Sequence, residues 1–213
     1  MRTDDLVSML ATGAGAADAK SPTRRLLLAL GGGALIAALL MGAWLHVNPE
    51  LASYALMPMF WVRELFCAAL AIGGLTAVTR LARPGAALRW ERSLLVAPVL
   101  ALWLLAAAVL VNADAAERTD LLRGISWTVC SANIALLSMP IFAALVWLMK
   151  GLAPTRLRLS GAAAGLAAGA VGALVYTVHC PELAAPFLAL WYVLGMLLPA
   201  ALGAWVGPRL LRW

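Results

Sequence analysis

Six stretches of this chain run for 15 to 24 residues without one charged side chain: 26–45, 65–79, 94–111, 127–149, 159–178 and 183–206. Crossing about 30 Å of hydrocarbon takes roughly 20 apolar residues in a helix. Inside lipid the backbone has no water to bond, so each stretch must satisfy its own amides as a helix. With 64% hydrophobic and 12% charged residues, the chain sits far from a soluble domain, where about a quarter of residues are charged. An all-α polytopic membrane protein is expected, with six transmembrane helices. Short loops join them into three hairpins within one domain, residues 24–213, preceded by an arm, residues 1–23.

Residues 65–79 reach only about 22 Å as a helix. That span is expected to borrow Phe60 and Trp61 at the interface, with Arg63 snorkelling outward. The run 26–45 follows Arg24 and Arg25, as a signal peptide would. It is too long for an export signal, however, and no small-x-small cleavage site appears before His46, so an uncleaved first helix is expected. Pro140 predicts a kink in the fourth span.

Orientation follows from loop charge, because lysine and arginine stay on the cytoplasmic side. With both termini cytoplasmic, only Arg63, Arg118 and Arg123 of the 16 basic residues lie outside, whereas six of the ten acids do. The net charge of +6 is thus a topology signal and no argument for direct nucleic-acid binding. A bacterial inner-membrane location is expected, with the lipid bilayer as the chain's principal surroundings.

The arm divides in two. In "TDDLVSML", Thr3 suits an N-cap, Asp4 and Asp5 fall in the first helical turn, and Leu6, Val7 and Leu10 recur at helical spacing. The following "ATGAGAADAKSP" has the composition of a flexible tether. Acids beside leucines, without a basic cluster, suit a basic, grooved protein partner better than an anionic membrane surface. On the fifth span, Gly161, Gly165 and Gly169 recur every four residues and let another helix approach closely. That surface lies inside the monomer or at a homodimer interface, and the spacing does not choose.

No Walker loop, nucleophile elbow, His-Glu-x-x-His or Cys-x-x-Cys is present. No acid sits in mid-membrane to mark an ion path. No enzyme activity, catalytic residue or cofactor is expected. Cys67, among Phe66, Ala68 and Ala69, reads as a small buried hydrophobe. At the outer face, Cys130, His179, Cys180 and Glu182 remain. Two accessible thiols there could join as a disulfide if their Cα atoms lie within about 7 Å. They could instead bind a soft metal with His179 as third ligand, or be unrelated. Two further classes stay open: a small transporter or channel for a metal or uncharged solute, and a membrane thiol oxidoreductase, against which the missing Cys-x-x-Cys counts.

The phrases "MRTDDLVSML", "PMFWVRELF", "RLARPG", "CSANIALLSMPIFAALVWLMKGLAPT", "HCPELAAPFLALWYVLGMLLPA" and "LGAWVGPRLLRW", in this order, span nearly the whole length. Through them the chain resembles the NrsF family of six-helix inner-membrane anti-sigma factors, which restrain an extracytoplasmic-function (ECF) sigma factor. The resemblance implies that the arm binds the sigma factor, giving Asp4, Asp5 and Leu6 their role. It also implies that Cys130 and Cys180 belong to perception of a periplasmic stress, such as heavy metals or oxidants, after which the sigma factor is released. The arm has no cysteine or histidine for a zinc site, so the basic loops 80–92 and 150–158, or a second subunit, are expected to help hold the partner.

Overall fold

A computed structural model describes residues 3–13, 22–83, 85–152 and 154–212. The tether at 14–21 lies outside the described residues, as do the side chains of Leu6 and Leu10. Among the described residues the fold is all-helical, without strands, and six helices are long and apolar enough to cross a membrane.

The arm forms helix α1 (Thr3–Gly13), with Asp4 and Asp5 in its first turn. The first span is α2 (Pro22–Leu40), prolonged by a π-helical turn (Met41–Leu45) that ends at His46. A short α3 (Leu51–Tyr54) leads to α4 (Pro58–Leu81), whose Pro58 stands in the first turn, where no backbone N–H is missed. Next come α5 (Trp90–Asn112), a connecting α6 (Glu117–Arg123) and α7 (Trp127–Lys150). The central helix is α8 (Leu157–Tyr176). The last span is built from α9 (Ala185–Phe187), a second π-helical turn (Leu188–Tyr192) and α10 (Val193–Leu210).

The second span corrects the sequence expectation. Helix α4 is 24 residues long, nine more than the uncharged run. Arg63 does not snorkel outward: it is fully buried in the first part of the helix.

Neighbours in space differ from neighbours in sequence. Helix α8 packs chiefly against α10, α4 and α7, while α2 lies along α7 and α5 along α4. Of the three expected hairpins, only α8 with α10 is a principal packed pair. Small residues allow this. A Cβ on Gly161 would strike the carbonyl of Gly203, and one on Gly165 the carbonyl of Pro199. A Cβ on Gly169 would come 2.9 Å from the Cα of Met196. All three glycines therefore face α10 of the same chain, at backbone contact. On the other faces of α8, Gly74 of α4 meets Ala167, and Gly172 meets Ser138 of α7. Alanine and glycine supply most of the buried surface of α8, so close backbone packing replaces a core of large side chains.

Candidate functional site

Three loops converge at one end of the bundle: 46–57, 113–126 and 177–184. Their meeting point is the turn after α8. The amides of His179 and Cys180 both bond the carbonyl of Tyr176, at 3.0 Å, and Pro181 then brings no N–H. Carbonyls on this turn consequently lack backbone partners, and Arg63 supplies them. Its guanidinium donates to the carbonyls of Cys180 (2.9 Å), Glu182 (3.0 Å) and Thr177 (3.1 Å). The neighbouring Glu64 balances the charge, with 3.5 Å between Nε and Oε1, and the cation lies 5.1 Å from the centroid of Phe60. A charge this deep persists only when paired and hydrogen-bonded.

Glu182 closes the other side. Its carboxylate accepts the backbone N–H groups of Ile125 (2.6 Å) and Ser126 (3.2 Å), just before α7. Those amides are left free at a helix start, where negative charge is also favoured by the dipole. The turn works because residue 124 is glycine. Its φ is +54°, and a Cβ there would lie 2.5 Å from Oε2 of Glu182.

The thiols lie beneath these two ties. Cys130, in the first turn of α7, and Cys180 are buried free thiols in the same core, within hydrogen-bonding reach of one another. Ser126 Oγ lies 3.9 Å from the sulfur of Cys180. The neighbouring Cys130 thiol is the main influence drawing the Cys180 thiol below its ordinary pKa; burial opposes it, and the charge of Arg63 assists. Tyr176 and Tyr192 pack in this core with ring centroids 6.1 Å apart, both hydroxyls buried. Cys67 joins the same core from α4.

Two expectations are corrected here. The thiols are not accessible: Cys130 is 0% and Cys180 1% exposed. His179 does not complete a metal set with them. Its Nδ1 faces the carbonyl of His46 at 2.9 Å, and its ring packs on Tyr176. Among the described residues, no three His, Cys, Asp or Glu side chains are grouped to hold a metal ion. What the arrangement can do is thiol chemistry by a pair, once the loop above it moves.

Sequence reading missed Arg63, Glu64, Gly124 and the two tyrosines as parts of this site. The adjacent charges "RE" inside an apolar helix were a usable signal, since ionisable groups at membrane depth mark functional positions. Gly124 gave no such signal.

At the opposite end, Gly85 N–H donates to Thr155 Oγ1 (3.3 Å), joining the loops on either side of α4–α5 and α7–α8. Glu91 is buried there, 3.6 Å from Arg80. On α1, Thr3, Asp4 and Asp5 are exposed, and Ser8 Oγ donates to the carbonyl of Asp4 (2.8 Å).

Comparison with known proteins gives a consistent picture. The family model NrsF, described as negative regulator of sigma F, matches residues 10–213. The probable anti-sigma-F factor NrsF of Azospira oryzae is 53% identical over 213 residues, and the match covers the full length of both chains. The anti-sigma-F factor NrsF of Caulobacter vibrioides is 42% identical over 215 aligned residues, again over the full length of both. No solved structure matches the chain.

Proposed function

Because this chain belongs to the NrsF family of negative regulators of sigma F, we propose that it is a bacterial inner-membrane anti-sigma factor for a sigma factor of the ECF type. It holds that partner at its arginine-rich, cytoplasmic end and releases it when the paired thiols at the periplasmic end react. The observation that carries this reading is the full-length match to two anti-sigma-F relatives.

The physical picture has three parts. Helix α1, with Thr3, Asp4, Asp5, Leu6 and Leu10, is the primary contact. The basic loops 80–92 and 150–158 add charge that discourages the sigma factor from leaving. The thiol end is the input. There a two-electron oxidant converts the thiols of Cys130 and Cys180 to one S–S bond, taking up both electrons and both protons. The new bond shortens the distance between α7 and the 177–184 loop, and Arg63 and Glu182 must readjust. Helices α8 and α10, locked by backbone contact, carry that displacement as one body. A coupling of about 1–3 kcal/mol changes affinity roughly 5–150-fold, enough to free a regulator present near its dissociation constant.

Co-purification of an ECF sigma factor from the same organism with the full chain, and with a chain lacking residues 1–12, tests the reading. The full chain should retain the sigma factor and the shortened chain should lose most of it. Absence of binding by the full chain in lipid would remove the proposal.

A further inference from the structure

We propose that the groove between the start of α2 and the end of α7 is a binding site for the head group of an anionic phospholipid. The groove encloses about 880 Å³ and is lined by Arg25, Leu28, Ala29, Trp147, Leu148, Lys150 and Gly151. That volume is within the range of about 300–1,000 Å³ found for small-ligand clefts. Its two charged groups are both cations, one from each helix, and none of the described residues lining it is acidic.

The order of chemistry along the groove matches a lipid. Arg25 stands near the beginning of a membrane-spanning helix and Lys150 at the last residue of another. Both cations therefore sit at head-group depth, where a basic pocket between helices selects anionic lipid. Deeper along the same walls come Leu28, Ala29 and Leu148, which suit an acyl chain. Trp147 is 75% exposed, and tryptophan favours the boundary between head groups and hydrocarbon. A soluble anion would meet the cations but gain nothing from the apolar wall. A protein segment would need to pair both charges at membrane depth. Lys150 also opens the basic loop 150–158 assigned above to the sigma factor, so lipid binding is read on the chain alone, without that partner.

The test uses the purified full chain in phosphatidylcholine nanodiscs, titrated with phosphatidylglycerol and read by native mass spectrometry and by the thermal unfolding midpoint. Phosphatidylglycerol should be retained and raise the midpoint, and added phosphatidylcholine should do neither. Each of Arg25→Gln and Lys150→Gln should weaken phosphatidylglycerol about fivefold at low salt, and the double variant about 30-fold, from about 1 kcal/mol per basic residue near a surface. Arg25→Lys should keep the binding. Arg158→Gln removes an equal charge from an exposed position at the start of α8 and should change affinity less than twofold. Equal retention of the two lipids would overturn the proposal. So would a loss in Arg158→Gln as large as in the double variant, which would reduce the effect to net charge, or a double variant that binds like the parent.

Discussion

Arg63 is the residue on which the thiol end depends most. One guanidinium satisfies three carbonyls of a turn that Pro181 prevents from satisfying itself. Arg63→Gln leaves those carbonyls and the Glu64 carboxylate without their charge partner, and breaking a buried pair costs about 3–5 kcal/mol. The thermal midpoint in detergent should fall accordingly. Replacing both members, Arg63→Leu with Glu64→Leu, should cost less than Arg63→Leu alone, because both variants leave the carbonyls without a donor and only the single leaves an uncompensated charge. A double variant weaker than the single would refute the pairing. The Glu182 tie makes a second contrast. Gly124→Ala places a Cβ against the carboxylate at a φ that alanine disfavours, whereas Glu182→Gln keeps an acceptor for Ile125. Unfolding should show the glycine substitution to be the worse by about 1–2 kcal/mol. A third concerns reactivity. Cys180 is held below its usual pKa first by Cys130, so its thiolate forms at lower pH than an isolated cysteine's. Removing the Cys130 thiol with Cys130→Ala should move the alkylation-rate profile of Cys180, followed with a small permeant haloacetamide, to higher pH. An unmoved or lowered profile would show that Cys130 is not what holds the Cys180 thiol down. Beyond the adjacent charges of "RE", none of this was legible from sequence, because a buried arginine and a snorkelling one are written with the same letter. Only the fold decides which carbonyls it meets.

Elements were far easier to read, since lipid leaves the backbone so few choices. Five of the six spans appear where uncharged runs of adequate length stand, and the sixth is instructive. Helix α4 was read short because Arg63 and Glu64 interrupt its run, and a run-based reading ends at charge. In the fold these two neutralise one another and the helix passes through them. The two π-helical turns left no pattern in the sequence. In the second of them the carbonyl of Trp191 accepts Ser131 Oγ at 2.8 Å while its indole N–H donates to Leu122 at 2.8 Å, which ties α7 to the last span. The glycine stripe on α8 was visible; its partner was not, because four-residue spacing names a face and says nothing of what covers it. That partner is α10, and the approach is backbone to backbone. Gly165→Leu should therefore push the pair apart and cost at the upper end of about 1–3 kcal/mol for overpacking. The same change at Gly42, where a Cβ would meet nothing, should be nearly silent. Equal unfolding midpoints for the two variants would contradict the packing.

At the scale of the molecule the proposed function requires chemistry at one end to reach a partner at the other. Helix α8 contacts four of the five other spans, so no displacement of the 177–184 loop leaves the bundle untouched. Cys180 lies in the turn just beyond that helix, and Cys130 stands in the first turn of α7, which packs along both α8 and α2. Helix α2 in turn carries the arm. A covalent bond between the two sulfurs thus acts on the helix nearest the tether and on the rigid α8–α10 pair together. A double Cys130→Ser, Cys180→Ser variant keeps the packing volume and removes the bond. Reconstituted in nanodiscs, it should bind the sigma factor about as tightly as the parent. On treatment with a diazene oxidant, which takes two electrons and two protons from a thiol pair, the parent should lose roughly 5–150-fold in affinity, the range of ordinary coupling energies. The serine variant should lose none. Arg63→Gln adds a third arm, because it frees the same loop without any sulfur chemistry: its resting affinity should already lie part of the way toward that of the oxidised parent. Parent and serine variant responding alike would take the cysteines out of the mechanism. An Arg63→Gln protein that is destabilised yet binds at full strength would show that the loop and the partner are not coupled, even if the fold is as described.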